Sequence, residues 1–310
     1  MRRVLSEQCR AAVDDLLGAD EESGHGSVHG AAPAPSYGAA MPSERLTARS
    51  PDGVDLAVFV VGEGDPLLLI PGLGARAAVF DPIVGDLARE HRVITFDPRG
   101  IGESGNAGDV TLTNMARDAI AVLDAADVAV AAVFGASMGG LIAQHVVTDH
   151  PDRVDHLVLA ATGPGGHHGV DPEPEHQAAL LGRGARTPEE AYRMVCTVLY
   201  SQQFQRTHPE FIEAQVRERS RNPVRPRVFS AQFTAMSQPD ESFERLANVT
   251  TPTLVLHGTE DAVTPFENAR ILARQIPGAV LRPFEACGHL FFHERPAETA
   301  RVVTEHLRRG

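Results

Sequence analysis

The sequence predicts an α/β protein: a mostly parallel, eight-stranded sheet with helices on both faces and a helical lid inserted between strands six and seven. Three observations predict it. Short apolar runs alternate with amphipathic segments from about residue 44 onward. Several of these runs, Val128–Phe134 and His156–Ala160 among them, are apolar throughout, as strands covered on both faces must be. Between 163 and 240 the alternation stops and only helix-like pattern continues.

Each element follows in order. Leu5, Cys9, Ala12, Val13 and Leu16 sit at helical spacing within residues 1–22, which predicts a short amphipathic helix. Residues 23–42 are rich in Gly, Ala, Ser, Pro and His and read as a flexible linker, so 1–43 is expected to be a flexible or partly helical extension. Met41 is an alternative start. The opening Met1-Arg2-Arg3 suggests a secretion leader, but Glu7, Arg10, Asp14 and Asp15 interrupt the apolar segment such a leader needs. The first part of the core is expected over 44–162, with strands at 45–50, 54–61, 67–70, 92–96, 128–134 and 154–160 and helices at 77–90, 112–126 and 138–149. The lid spans 163–240, with one helix from Pro188-Glu189-Glu190 through Leu199 and another at 209–220. The second part, 241–310, carries strands at 252–257 and 279–283 and helices at 264–275 and 296–308.

Composition narrows the classes. At 310 residues the chain can bury a large core, and 43% hydrophobic with 22% charged residues is an ordinary globular balance. No run approaches the length of a membrane span. A net charge of -13 would repel a phosphate backbone, so nucleic acid is not an expected partner. The chain has no lysine, which excludes a lysine Schiff base, lysine-held PLP and a Walker-type phosphate loop. Cys9, Cys196 and Cys287 are odd in number and far apart, which argues against a disulfide framework or zinc site and fits a reducing cytoplasm. Cys287 reads as a small packed residue. His25 and His29 lack acidic or thiol partners, and the pair His167-His168 lacks carboxylates at ligand spacing, so no metal is expected.

The chemistry is carried by Gly135-Ala136-Ser137-Met138-Gly139-Gly140. It follows a strand-like run and precedes a helix-like one, the context in which a serine projects from a sharp strand-to-helix turn. A serine hydroxyl needs a base to attack at neutral pH. Of 14 histidines, His289 lies just after the last expected strand, at the same end of the sheet as the turn. His257 ends an apolar strand and is expected to be buried against the sheet. The base needs an orienting carboxylate, and Asp261 follows the strand at 252–257; neighbouring Glu260 is the weaker candidate. An oxyanion needs preorganised donors. The backbone N–H of Met138 heads the helix after Ser137, and that of Leu73 lies in Pro71-Gly72-Leu73-Gly74 after the strand at 67–70.

These residues resemble the α/β-hydrolase superfamily over roughly 45–308, in particular its lidded serine esterases, enol-lactonases and cofactor-free haloperoxidase relatives. Asp97-Pro98-Arg99-Gly100-Ile101-Gly102-Glu103-Ser104 resembles the D-x-R-G-x-G-x-S loop of that family, where it is mainly structural. Pro71 departs from the histidine many members carry before the glycine. The resemblance implies a serine hydrolase, free of metal and cofactor, that cleaves a small, mainly apolar ester or lactone through an acyl-enzyme on Ser137, His289 and Asp261. Carbon–carbon or thioester hydrolysis by the same residues is the alternative, weakened because Leu290 stands where carbon–carbon hydrolases commonly carry tryptophan. A non-catalytic protein that has kept the fold is a third reading. Phe204, Phe233, Met236 and Leu290 are expected to line the pocket. The lid carries nine arginines and nine acids, and most of those arginines read as a solvated helix face. The acyl and alcohol groups and the oligomeric state are not set by the sequence.

Overall fold

The computed structural model describes residues 43–106, 108–238, 240 and 242–308. The expected N-terminal helix, the linker and Cys9 lie outside them. Eight strands form one sheet in the order β1-β2-β4-β3-β5-β6-β7-β8. They are β1 (Ser43–Arg49), β2 (Asp55–Val61), β3 (Asp65–Ile70), β4 (His91–Phe96), β5 (Ala131–Ala136), β6 (Val154–Ala160), β7 (Thr253–Gly258) and β8 (Val280–Phe284). β2 pairs antiparallel with β1 and β4, and every pairing from β4 through β8 is parallel.

Successive residues of β3 explain the unbroken apolar runs. Leu67 and Leu69 join one buried cluster, and Leu68 and Ile70 join the other, so both faces of the strand are interior. One face is covered by α2 (Leu112–Ala125), α3 (Met138–Asp149) and α10 (Glu267–Gln275), through residues such as Met115, Ile142 and Leu272. The other is covered by α1 (Asp81–Leu87) and α12 (Pro296–Leu307), through Ile83, Leu87 and Val303. Phe80, Phe134 and Phe292 pack together there, with Phe80 and Phe134 edge-to-face at 5.7 Å.

Between β6 and β7 lie α4 (Pro174–Leu180), α5 (Pro188–Leu199), α6 (Gln202–Thr207), α7 (Pro209–Arg221), α8 (Pro226–Met236) and α9 (Ser242–Arg245). α5 runs over the residues its sequence predicts. Thr187 caps it by accepting the Glu190 N–H at 3.1 Å, and Pro188 supplies the first helical residue. Its apolar side forms a separate small core from Cys196, Leu199, Tyr200, Phe204, Ile212 and Val216. α11 (Phe291–Glu294) follows β8 after the loop 285–290.

Three of the boundaries differ from expectation for local reasons. The strand expected at 128–134 begins at Ala131 because Asp127 turns the chain at φ 56° and the Val128 N–H donates back to Leu123 O at 2.9 Å. It runs on to Ala136 because the ladder continues, with the Ser137 N–H donating to Ala160 O at 2.9 Å. The helix expected from 264 begins at Glu267, since Thr264 is held in the turn that follows Asp261.

The D-x-R-G loop is a buried scaffold. Arg99, 0% exposed, donates from Nε and Nη2 to the two oxygens of Asp118, both at 2.7 Å, and from Nη1 to Asp52 at 2.8 Å. Asp97 accepts the Ala77 and Glu103 N–H groups, each at 2.9 Å, which braces the turn after β3. Replacing Arg99 by methionine leaves Asp118 buried without its counter-charge. Urea unfolding of Arg99→Met is expected to show a loss of about 3–5 kcal/mol. A loss under about 1 kcal/mol would mean the pair is dispensable.

Candidate active site

The parallel pairing brings five strand ends to one edge. Ile70 pairs with Gly135, Ala136 with Ala160, Ala160 with Leu256, and Gly258 with Phe284. The segments that leave this edge are Pro71–Arg76, Ser137, the Asp261 loop and the His289 loop. Candidates far apart in sequence therefore share one rim of the sheet.

Ser137 occupies φ 55°, ψ −120° between β5 and α3, a left-handed backbone that a non-glycine residue holds only under strain. The strain is enforced by crowding on both sides. A Cβ on Gly135 would lie 2.3 Å from Gly139 O, and one on Gly139 would lie 2.0 Å from Ile70 O. Strand, helix and the end of β3 thus meet backbone to backbone. Thr162 Oγ1 donates to Ser137 O at 2.8 Å and fixes the turn from a third side. Within 131–144 Ser137 alone is not buried.

His289 is 2% exposed, and its Nδ1–H donates to Asp261, 2.8 Å from Oδ2 and 3.0 Å from Oδ1. That bond sets the tautomer and leaves Nε2 without a proton, able to accept one. The two loops are pressed together where Gly258 ends β7, since a Cβ there would lie 2.2 Å from Gly288 O. Asp261 Oδ1 also accepts the Val263 and Thr264 N–H groups at 2.9 and 2.8 Å. Burial opposes its ionisation, but the electrostatic attraction and hydrogen bonds of His289 and His257 outweigh it and hold the carboxyl well below the usual carboxylate range. Glu260 is exposed; its N–H donates to Cys287 O at 2.9 Å.

His257 is fully buried, and its contact is one that sequence reasoning did not anticipate. Its Nε2 lies 2.7 Å from Thr264 O, which can only accept, and 3.0 Å from Asp261 Oδ2. The proton therefore sits on Nε2 and is shared between them, so Asp261 is gripped by two histidines.

Leu73 and Met138 are both carried next to the serine. Met138 is the first residue of α3, where a backbone N–H has no partner within the helix. A Cβ on Gly72 would lie 3.6 Å from Ser137 Oγ, so the turn carrying Leu73 abuts the hydroxyl. Of the expected pocket residues, Phe233 and Met236 are half-buried on α8, and Met236 packs on the same core as Leu73. Leu290 is half-buried between the sheet core and the core of the inserted helices. Phe204 is brought only to that inserted core, stacked on Tyr200 at 5.5 Å and His208 at 4.3 Å. The aromatic ring packed over the Pro71–Gly74 turn is Phe229, 3.2 Å from where a Gly74 Cβ would be.

Residues of α11 tie the inserted helices to the His289 loop. Glu294 accepts the N–H groups of Gly288 at 3.0 Å and Ser201 at 2.8 Å, and the Ser201 hydroxyl at 2.6 Å. The Leu290 N–H donates to Leu199 O at 2.9 Å. His293 Nε2–H donates to Val79 O at 2.7 Å, and Nδ1 accepts the Tyr200 hydroxyl at 3.1 Å. Nothing in the local sequence marks these roles. Cys287 is buried and its thiol is pushed up to about 11 by burial, while His168 lies 2.8 Å from Glu244.

A doubly covered parallel sheet with a strained serine at one strand end and a His–Asp pair at the next strand ends defines an α/β hydrolase. The family described as alpha/beta hydrolase fold matches residues 65–296, and the chain belongs to it. It is 30% identical over 263 residues to the pimeloyl-(acyl-carrier protein) methyl ester esterase of Chromobacterium violaceum, covering 82% of this chain and 98% of that protein. It is equally 30% identical over 259 residues to the 2-hydroxymuconate semialdehyde hydrolase of Pseudomonas putida, covering 79% and 88%. The structure of a thermophilic esterase from Thermogutta terrifontis superposes with a TM-score of 0.73 at 28% identity, over 86% of this chain and 98% of that one. Among the described residues no helix is long and apolar enough to cross a membrane.

The buried His293 joint makes a pH prediction. Burial pushes its pKa down to about 4 from the ordinary 6.5. As pH falls, the unfolded chain takes up this proton first. The joint's contribution is therefore whole above 6.5 and is lost on going down to about 4, at most about 3 kcal/mol. Melting temperatures across this window should fall less steeply in His293→Phe than in the parent chain. Parallel curves would refute it.

Proposed function

We propose that the chain is a serine hydrolase cleaving a small, mainly apolar carboxylic ester or lactone through an acyl-enzyme. The observation that carries this reading is the 2.8 Å His289–Asp261 bond at the rim from which strained Ser137 projects. Ser137 Oγ attacks the acyl carbonyl carbon while His289 Nε2 takes its proton. The N–H groups of Met138 and Leu73 receive the oxyanion as it forms. The C–O bond breaks, and the alcohol leaves with the proton from His289. Water, deprotonated by the same nitrogen, then attacks the acyl carbon; the bond to Oγ breaks, Ser137 recovers its proton from His289, and the acid leaves. Side chains, backbone N–H groups and water carry each of these steps.

The helices of 163–240 would serve as a lid, with Phe229, Phe233, Met236 and Leu290 as the apolar wall and Phe204 supporting it from behind. Two buried free thiols, Cys196 and Cys287, favour a cytoplasmic setting. Hydrolysis of a carbon–carbon bond is the second reading, favoured by the likeness to the Pseudomonas putida enzyme.

The test is a panel of p-nitrophenyl esters from acetate to decanoate with simple lactones. Ser137→Ala should lose at least about 10⁴-fold in kcat/KM on the best substrate. Asp261→Asn should lose about 10³–10⁴-fold, and Glu260→Gln less than about threefold. A large loss in Glu260→Gln with little in Asp261→Asn would move the acid. If no ester or lactone is cleaved while Ser137 still takes a fluorophosphonate label, the carbon–carbon or thioester reading replaces this one. A chain that takes no label is not a serine hydrolase.

A further inference from the structure

The turn after β3 is faced by two side chains that the mechanism leaves unused. Gln232, 0% exposed on α8, accepts the Gly74 N–H through Oε1 at 2.8 Å. Since an N–H can only donate, this bond fixes the amide orientation. Nε2 is then a buried donor with no acceptor among the described residues. Such an orphan costs about 1–3 kcal/mol, so a buried one asks for an explanation. Arg219, in the last turn of α7, places Nη2 3.0 Å from where a Cβ of the same Gly74 would be, beside Phe229 at 3.2 Å and Val224 at 3.5 Å. It is half-buried, and no carboxylate among the described residues pairs with it. Its neighbours are the Tyr192 ring, 5.7 Å from the guanidinium, and a like charge, Arg76. Burial disfavours the charged form and Arg76 adds to this, while Tyr192 opposes it. The C-terminus of α7 offers only a partial negative charge. Arg193 of α5, by contrast, pairs with Glu213 at the surface.

We propose that Arg219 and Gln232 form a carboxylate-recognising subsite over Gly74, so that the preferred substrate carries a carboxylate within a few atoms of its scissile carbonyl. The subsite lies two residues along from Gly72, which abuts Ser137. A planar guanidinium and an amide N–H together match the oxygens of a carboxylate, and the apolar wall accepts the chain that connects it to the ester. The proposal rests on the ester-hydrolase reading for its kinetic form, but the binding it requires can be measured without turnover.

Two pairs of esters match in shape and differ in charge: methyl hydrogen glutarate against methyl 5-methylhexanoate, and acetoxyacetate against isobutyl acetate. In at least one pair the anion should have kcat/KM about tenfold or more above its neutral match, mainly through KM. Arg219→Gln and Gln232→Leu should each reduce that ratio, and Arg219→Lys should keep part of it. Arg217→Gln, on an exposed residue of the same helix, should leave it unchanged. Calorimetry of the same esters with Ser137→Ala protein should show tighter binding of the anion, lost when Arg219→Gln is added. A ratio at or below one in both pairs, or a ratio that Arg219→Gln does not alter in a folded protein, overturns the subsite while leaving the hydrolase reading in place. Arg219-dependent binding of the anion by a chain that cleaves neither ester supports the subsite and overturns the ester reading instead. Absence of both cleavage and anion binding overturns the subsite as well.

Discussion

Three backbones converge on one point, and the candidate site is built outward from it. The end of β3, the end of β5 and the first turn of α3 approach so closely that neither Gly135 nor Gly139 has space for a Cβ. This contact forces Ser137 into its left-handed conformation. It also brings the Pro71–Gly74 turn against the serine. The Asp97 loop then supports that turn from behind through Ala77, and buried Arg99 supports the loop through Asp52 and Asp118. Local strain of a few kcal/mol at a serine is sustainable only where the surroundings over-determine it, and here three elements and a buried ion network do so.

The second half of the site depends on how the inserted helices are moored. Several of their connections to the body run through α11 and one turn, beside others such as Val170 with Asn268 and Arg225 with Asn106. Glu294 joins Gly288 to Ser201, His293 joins Val79 to Tyr200, and Gln232 joins α8 to Gly74. Gly288 precedes His289 directly. The same bonds that hold α6 therefore hold the loop of the proposed base, and the helices that would shape a substrate pocket are positioned by the machinery they cover.

Much of this was legible in the sequence. Apolar runs without alternation gave the parallel sheet because both faces of β3 through β7 are covered. The elbow was legible because glycine, serine and glycine at fixed spacing have a steric cause that any chain must satisfy. Asp261 and His289 followed from strand order, since loops after parallel strands open at one edge. What was hidden depends on contacts across long separations in sequence. His257 reads as an apolar strand's last residue, and only the fold of the 258–264 turn brings its Nε2 to Asp261. Glu294 and Gln232 sit in helical stretches of ordinary composition. Phe204 is expected in the pocket, but the turn at His208 directs its ring into the inserted core, whereas the packing of α8 places Phe229 against Gly74.

Charge distribution gives the site a character opposite to that of the whole chain. The protein carries a net charge of -13, yet Arg76 and Arg219 face the turn beside Ser137, where Asp97 also feels the charge of Arg76. Asp261 adds a full negative charge at the same rim, but four donors consume it: His289, His257 and the N–H groups of Val263 and Thr264. A carboxylate so satisfied orients a histidine without offering its charge to an approaching anion. An acidic exterior and a donor-rich interior rim are then compatible. Desolvation at the rim strengthens short-range donors, while salt screens the long-range field of the exterior within about 8–10 Å. In the proposed acyl transfer the oxygen that gains charge would need such a rim, and any further anionic group on the substrate would be drawn to the same donors.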